Sequence, residues 1–125
     1  MEQFCIKKRF KSFTYAWKGI GSFIRKEHNA WIHLVITVAV IICGFMFHIT
    51  TSEWIAIILC IGLVFTAEAF NTAIERLVNL VSPRQNNTAG DVKDIAAGAV
   101  LICAITAAIV GFIIFIPHIL LFFSL

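Results

Sequence analysis

The segment Glu68-Ala-Phe-Asn-Thr-Ala-Ile-Glu75 places two carboxylates and an amide inside an apolar stretch. Glu68 and Asn71 are three residues apart, and Glu68 and Glu75 are seven apart. On a helix the three side chains fall within roughly 60° of one another, forming one polar face on an apolar rod. An ionised residue deep in hydrocarbon costs at least about 2.5 kcal/mol unless it is paired or hydrated. Two roles would justify that cost, a polar clamp between helices or a general base that takes a proton from a reacting group. Two more acids stand where apolar stretches begin, Glu27 and Asp94, and Lys93 adjoins Asp94. Oxygen ligands from Glu27 and Glu75 suit Mg²⁺, which takes few carboxylates and completes its shell with substrate phosphates. Lys93, Lys8 and Arg9 offer cations for phosphate oxygens. This donor set points to a nucleotide, yet the sequence has no G-x-x-x-x-G-K-[ST] loop and no protein-kinase signature. Residue types alone therefore define a membrane protein with a carboxylate site at its cytoplasmic edge.

The elements that must position these residues follow from composition. Of 125 residues, 60% are apolar and 14% charged, against roughly 45–50% and about 25% in soluble domains. The mean hydropathy is +0.93. A small soluble fold cannot hide that much apolar surface, so a soluble enzyme, a disordered tail and a secreted disulfide scaffold are poor starting points. The net charge of +3 is too mild to indicate nucleic acid. Cys5, Cys43, Cys60 and Cys103 form no C-x-x-C pair, and the last three lie in apolar runs, where a thiol acts as a small hydrophobe. Three stretches fit membrane spans at 30–48, 54–81 and 95–116. The first begins too late, and lacks the small-residue cleavage site, to be a cleavable signal. If the second span enters near Trp54, Glu75 lies near the far boundary and Glu68 about 10 Å further in.

All ten Lys and Arg residues fall before Trp31 or within 76–93. The positive-inside rule puts the N-terminus and the 76–93 segment in the cytoplasm, and the 48–53 turn and the C-terminus outside. Glu27, Glu75, Lys93 and Asp94 then meet at one membrane face. In residues 1–28, Ile6, Phe10, Phe13, Trp17, Ile20 and Ile24 recur at steps of four and three. They make a stripe roughly 80° wide, with Lys7, Lys11, Lys18 and Arg25 on one flank. This predicts an amphipathic helix lying in the interface, as an anchor or as a fence around a site at headgroup depth. Ala99, Cys103, Ala107 and Gly111 recur at four-residue steps, a small-residue face for close helix packing in lipid. Three spans bury little by themselves, which favours an oligomer.

Glu68-Ala-Phe-Asn-Thr-Ala-Ile-Glu75, followed by Lys93-Asp-Ile-Ala-Ala-Gly-Ala-Val100, resembles the bacterial diacylglycerol kinase family of small membrane kinases, which includes undecaprenol kinases. The resemblance extends to Tyr15-Ala-Trp-Lys-Gly19 and Glu27-His-Asn-Ala-Trp-Ile-His33 and covers most of the chain in order and spacing. It implies an all-α integral membrane protein of the bacterial cytoplasmic membrane. The subunit would have an N-terminal surface helix and three spans, as one lipid-kinase domain over 1–125. It also implies a homotrimer with sites shared between subunits, and MgATP-dependent phosphorylation of a lipid alcohol. Position by position, Glu68 matches the catalytic base, which also touches the lipid, and Glu27 and Glu75 match the metal-binding carboxylates that also face the nucleotide. Tyr15, Asn71, Lys93 and Asp94 match nucleotide-site positions, Lys8 or its neighbour Arg9 a basic one that also reaches the lipid, and Ala97 a position near the lipid. His33 stands near the nucleotide, as do Arg84, Gln85 and Asn86, although the loop Ser82-Pro-Arg-Gln-Asn86 departs from the Glu-Tyr-His that relatives often carry. Asn79 replaces a position that is often acidic. The 27–33 stretch and the Ala-rich run from Ala96 incline toward the undecaprenol branch, while diacylglycerol stays open as the acceptor. Two other classes compete on the residues alone: a proton-coupled transporter using Glu68, and a non-catalytic membrane subunit with the polar face as helix glue.

Overall fold

The computed structural model describes residues 4–124. The parts of the expected 1–28 helix and 1–125 domain that fall on residues 1–3 and 125 lie outside the described residues. Four helices follow one another: α1 (Ile6–Lys26), α2 (His28–Met46), α3 (Thr51–Val81) and α4 (Asn87–Ser124). No strand occurs among the described residues. The fold is all-α, and α2, α3 and α4 are each long and apolar enough to cross a membrane. At 1.5 Å per residue α3 is roughly 47 Å long and α4 roughly 57 Å, more than the ~30 Å hydrocarbon core. Each is thus longer than one crossing requires, and the excess includes a polar first turn in α3 at 51–53 and a polar start of α4 at 87–94.

Helix ends differ from the span limits for local reasons. Asn86 caps α4, its Oδ1 accepting the Ala89 N–H at 2.8 Å, so the helix begins well before residue 95. It also continues past Pro117. Proline removes one backbone donor, a loss that helices surrounded by apolar groups tolerate. The α1–α2 junction is a single extended residue, Glu27 (φ −111°, ψ 119°), whose N–H reaches the Phe23 carbonyl at 3.2 Å. Phe23 and Ala30 are buried on either side of that elbow. The first part of α1 is exposed, Phe10, Phe13 and Trp17 included.

Between α2 and α3, His48 takes a left-handed conformation (φ 50°). The Ile49 N–H then returns to the Gly44 carbonyl at 3.2 Å and closes the turn. Thr50 and Glu53 form a capping box, Glu53 N–H to Thr50 Oγ1 at 3.2 Å and Thr50 N–H to Glu53 Oε1 at 3.0 Å. Gly44 is required at this corner, because a Cβ there would lie 2.6 Å from Trp54 Cη2 and 3.2 Å from Ile49 Cδ1. Gly44→Ala forces the indole to move, at a cost of about 1–3 kcal/mol. The thermal midpoint in detergent is expected to fall by roughly 3–10 °C; an unchanged midpoint would show that Trp54 is not pressed against this residue.

α4 packs along α3, and α2 touches α3 more lightly. Ile49, Ile57 and Ile114 form the buried cluster, with Phe47, Trp54 and Phe115 against it. His118 Nε2 lies 3.3 Å from the Glu53 carboxylate and stacks on Phe47, tying the far end of α4 to the hairpin. An apolar groove of about 600 Å³ runs between α2, α3 and α4, lined by Val40, Cys43, Cys60, Val64, Ala107 and Gly111 among others. A side chain added at Gly111 would meet nothing of this chain within 4 Å.

Candidate active site

One stripe of α3 is buried along its length, and its chemistry changes part-way. Ile57 and Val64 lie in the apolar half, then Glu68, Asn71 and Thr72 in the other. Helical spacing alone keeps these five residues on one face. Glu68 is 4% exposed and Asn71 9% exposed.

The polar groups of this face make two separate contacts. Glu68 Oε1 lies 2.9 Å from Nε2 of His33, on the second turn of α2. Asn71 Nδ2 donates to Glu75 Oε1 at 3.4 Å, one turn further along α3. Among the described residues Asn71 Oδ1 is buried without a hydrogen-bond partner. A buried acceptor left unpaired costs roughly 1–3 kcal/mol, so this oxygen is poised for a donor or a cation. Glu27, at the elbow, pairs with Arg76 Nη2 at 3.5 Å, while Arg76 Nη1 donates to Ser22 Oγ at 3.5 Å. Arg76 thus ties the elbow to the end of α3 beside Glu75. Lys93 Nζ donates to Asn79 Oδ1 at 2.6 Å, which brings the start of α4 to the same end.

The loop between α3 and α4 encloses a cleft of about 730 Å³, lined by Asn79, Arg84, Gln85, Asn86, Lys93 and Asp94 among others. That volume is ordinary for a ligand site. Asn86 is already occupied in the loop, capping α4 and donating from Nδ2 to Ser82 Oγ at 2.6 Å. Ala97 is exposed, and its neighbour Ala96 is buried. Tyr15, Lys8 and Arg9 lie on the exposed part of α1. The Tyr15 ring carries Lys18 Nζ at 5.9 Å, and the Arg9 guanidinium sits over Phe4 at 5.3 Å. Among the described residues no hydrogen bond or ion pair joins Tyr15 or Arg9 to the carboxylates.

The structure thus pairs Glu68 with His33 and Asn71 with Glu75, and joins Glu27 to Arg76 and Lys93 to Asn79 on the same end of α3. The roles of Arg76 and Asn79 went unrecognised in the sequence. Asn79 carried a signal, since Asn71, Glu75 and Asn79 follow at four-residue steps and share a face. Arg76 carried none, because its partner is set by the elbow at Glu27. His33, placed near a nucleotide by resemblance, is bonded to Glu68.

The donor set can be tested for Mg²⁺. It is all oxygen, the type this ion takes: the Glu27 and Glu75 carboxylates and the unpaired Asn71 carbonyl. Among the described residues no three His, Cys, Asp or Glu side chains gather to hold a metal. The residues fit an ion that phosphate oxygens complete, rather than one caged by protein.

The model of the family described as prokaryotic diacylglycerol kinase matches residues 14–115. The chain belongs to that family. It is 41% identical over 112 residues to an undecaprenol kinase from Bacillus subtilis, covering 90% of this chain and 91% of that relative. A diacylglycerol kinase from Synechocystis is 38% identical over 110 residues, covering 87% of this chain but 63% of its own length. A diacylglycerol kinase from Escherichia coli is 28% identical over 109 residues, covering 86% and 88%. The match includes every residue of the 68–75 polar face, the elbow at Glu27 and Lys93.

Proposed function

We propose that the chain transfers the γ-phosphoryl group of MgATP to the hydroxyl of a membrane lipid alcohol, at the cytoplasmic face of a bacterial membrane. The carrying observation is Glu68: a carboxylate 4% exposed, two turns deeper than Glu75, on the one face of α3 that is both polar and buried. Family membership, with relatives named as kinases of undecaprenol and of diacylglycerol, supports the same reading.

The division of labour follows depth. Phosphoryl transfer asks mainly for alignment and charge neutralisation. Lys93, and the loop cleft beside it, would receive the phosphates from the aqueous side. Glu27 and Glu75, with Asn71 Oδ1, would hold Mg²⁺, which neutralises phosphate charge when bound. Glu68 would take the hydroxyl proton of an alcohol arriving from the hydrocarbon, so that its oxygen attacks phosphorus as the bond to ADP breaks. The proton ends on Glu68, the phosphoryl group on the lipid, and ADP leaves. The exposed Phe10, Phe13 and Trp17 of α1 would lie in the interface and keep the headgroup at that depth. The basic residues before Trp31 and over 76–93 support an orientation with this end in the cytoplasm and the C-terminus outside. The exposed apolar faces and small residues of α4 suit a trimer whose sites are completed by a neighbouring subunit.

Purified protein in detergent, given γ-labelled ATP and Mg²⁺, is expected to move label onto undecaprenol or diacylglycerol presented in equal amounts. Label confined to inorganic phosphate, or absent, would overturn the reading. Proton-driven uptake in vesicles without ATP binding would establish the transporter instead.

A further inference from the structure

His33 and Glu68 are 35 residues apart and meet at 2.9 Å. This is the one hydrogen bond between α2 and α3 among the described residues. The imidazole also meets the Phe65 ring of α3 edge-on at 6.4 Å between centroids, and the His33 backbone carbonyl accepts the Thr37 hydroxyl at 2.7 Å. Its side chain is 23% exposed, against 5% for that of Glu68. Only Oε1 of Glu68 is engaged; among the described residues no hydrogen bond reaches Oε2.

We propose that His33 is a positioning residue for Glu68, its Nε2–H donating to Oε1 so that Oε2 alone faces the substrate hydroxyl. This rests on the kinase reading above. A glutamate has three rotatable side-chain bonds, and a base must be held near hydrogen-bond reach of the proton it takes. A donor fixed on a second helix removes that freedom. It also steadies the carboxylate's charge where water is scarce, as a hydrogen bond to an ionised group does best. Within a turnover the hydroxyl proton passes to Oε2, the Nε2–H···Oε1 bond persists, and the imidazole neither gains nor loses a proton. The tautomer this requires carries hydrogen on Nε2, leaving Nδ1 as the acceptor. A plain helix clamp would use the same contact but would not couple His33 to the chemical step.

The test is a mutant cycle in the purified full chain, with γ-labelled ATP and the lipid acceptor that wild type phosphorylates. His33→Phe is expected to lower kcat about 10- to 100-fold, the scale of one hydrogen bond to a charged group, with KM for ATP within twofold. His33→Gln, whose amide can donate to the same oxygen, is expected to recover at least a third of wild-type kcat. In a Glu68→Gln background, His33→Phe is expected to cost less than twofold more, because the group it positions has gone. Wild-type kcat in His33→Phe, or an equal loss in both backgrounds, would overturn the proposal while leaving the kinase reading intact. If His33→Phe does not fold, His33→Gln decides: its failure to exceed a tenth of wild-type kcat, with ATP binding intact, is the contrary result. Wild type that labels no lipid overturns both.

Discussion

Glu68→Gln is expected to lower phosphoryl transfer at least about 100-fold while ATP binding persists, since a general base contributes roughly 10²–10⁴-fold. The substitution is nearly isosteric. A glutamine oxygen can still accept the hydrogen bond that His33 Nε2 makes to Oε1 at 2.9 Å, but the amide has no affinity for a hydroxyl proton. Stability should not suffer, because the amide fills the same space and keeps an acceptor for His33 at a site 4% exposed. Loss of activity is therefore separable from loss of fold. Steady-state transfer and the dissociation constant for a non-hydrolysable ATP analogue, measured on the same preparation, give the answer. Parallel loss of both would mean that Glu68 holds the bundle or the nucleotide rather than the proton.

Glu75→Gln acts on a different quantity. Glu75 is half-buried near the end of α3, accepts one hydrogen bond from Asn71 at 3.4 Å, and stands beside Arg76, which reaches Glu27. Removing one of two acidic oxygen donors should raise the Mg²⁺ concentration for half-maximal transfer by at least about tenfold. Activity should return in part at high Mg²⁺, which it would not do after loss of the base. A Mg²⁺ titration that overlays wild type would contradict the ligand assignment. The contrast between the two variants, one rescued by metal and the other not, follows from Glu68 lying deeper on the same helical face.

Much of this arrangement is legible in the chain because it is periodic. The polar face of α3 shows in the spacing of Glu68, Asn71 and Glu75, and the three long helices show in uncharged runs. The all-α fold follows from those runs. What was not legible depends on neighbours distant in sequence. His33 is a lone histidine at the start of a span, and nothing in its vicinity names Glu68. Arg76 finds Glu27 only at the elbow, where the extended backbone of Glu27 interrupts the helix. Asn86 looked available for a ligand, yet a short polar side chain just before a helix is drawn to the free N–H groups of its first turn. Pro117 was the natural place to end a span, but the loss of one N–H does not outweigh the remaining bonds of a 38-residue helix.

If the acids and the lysine serve one site, they share one membrane face, which accessibility labelling decides with single cysteines at positions 27, 52 and 93, in a background lacking the four native thiols and inserted in sealed vesicles of known orientation. Positions 27 and 93 should react with a membrane-impermeant reagent from the cytoplasmic side and position 52 from the other. Labelling of 27 and 93 from opposite sides would separate Glu27 from Lys93 by the thickness of the bilayer, and no shared phosphate site could exist.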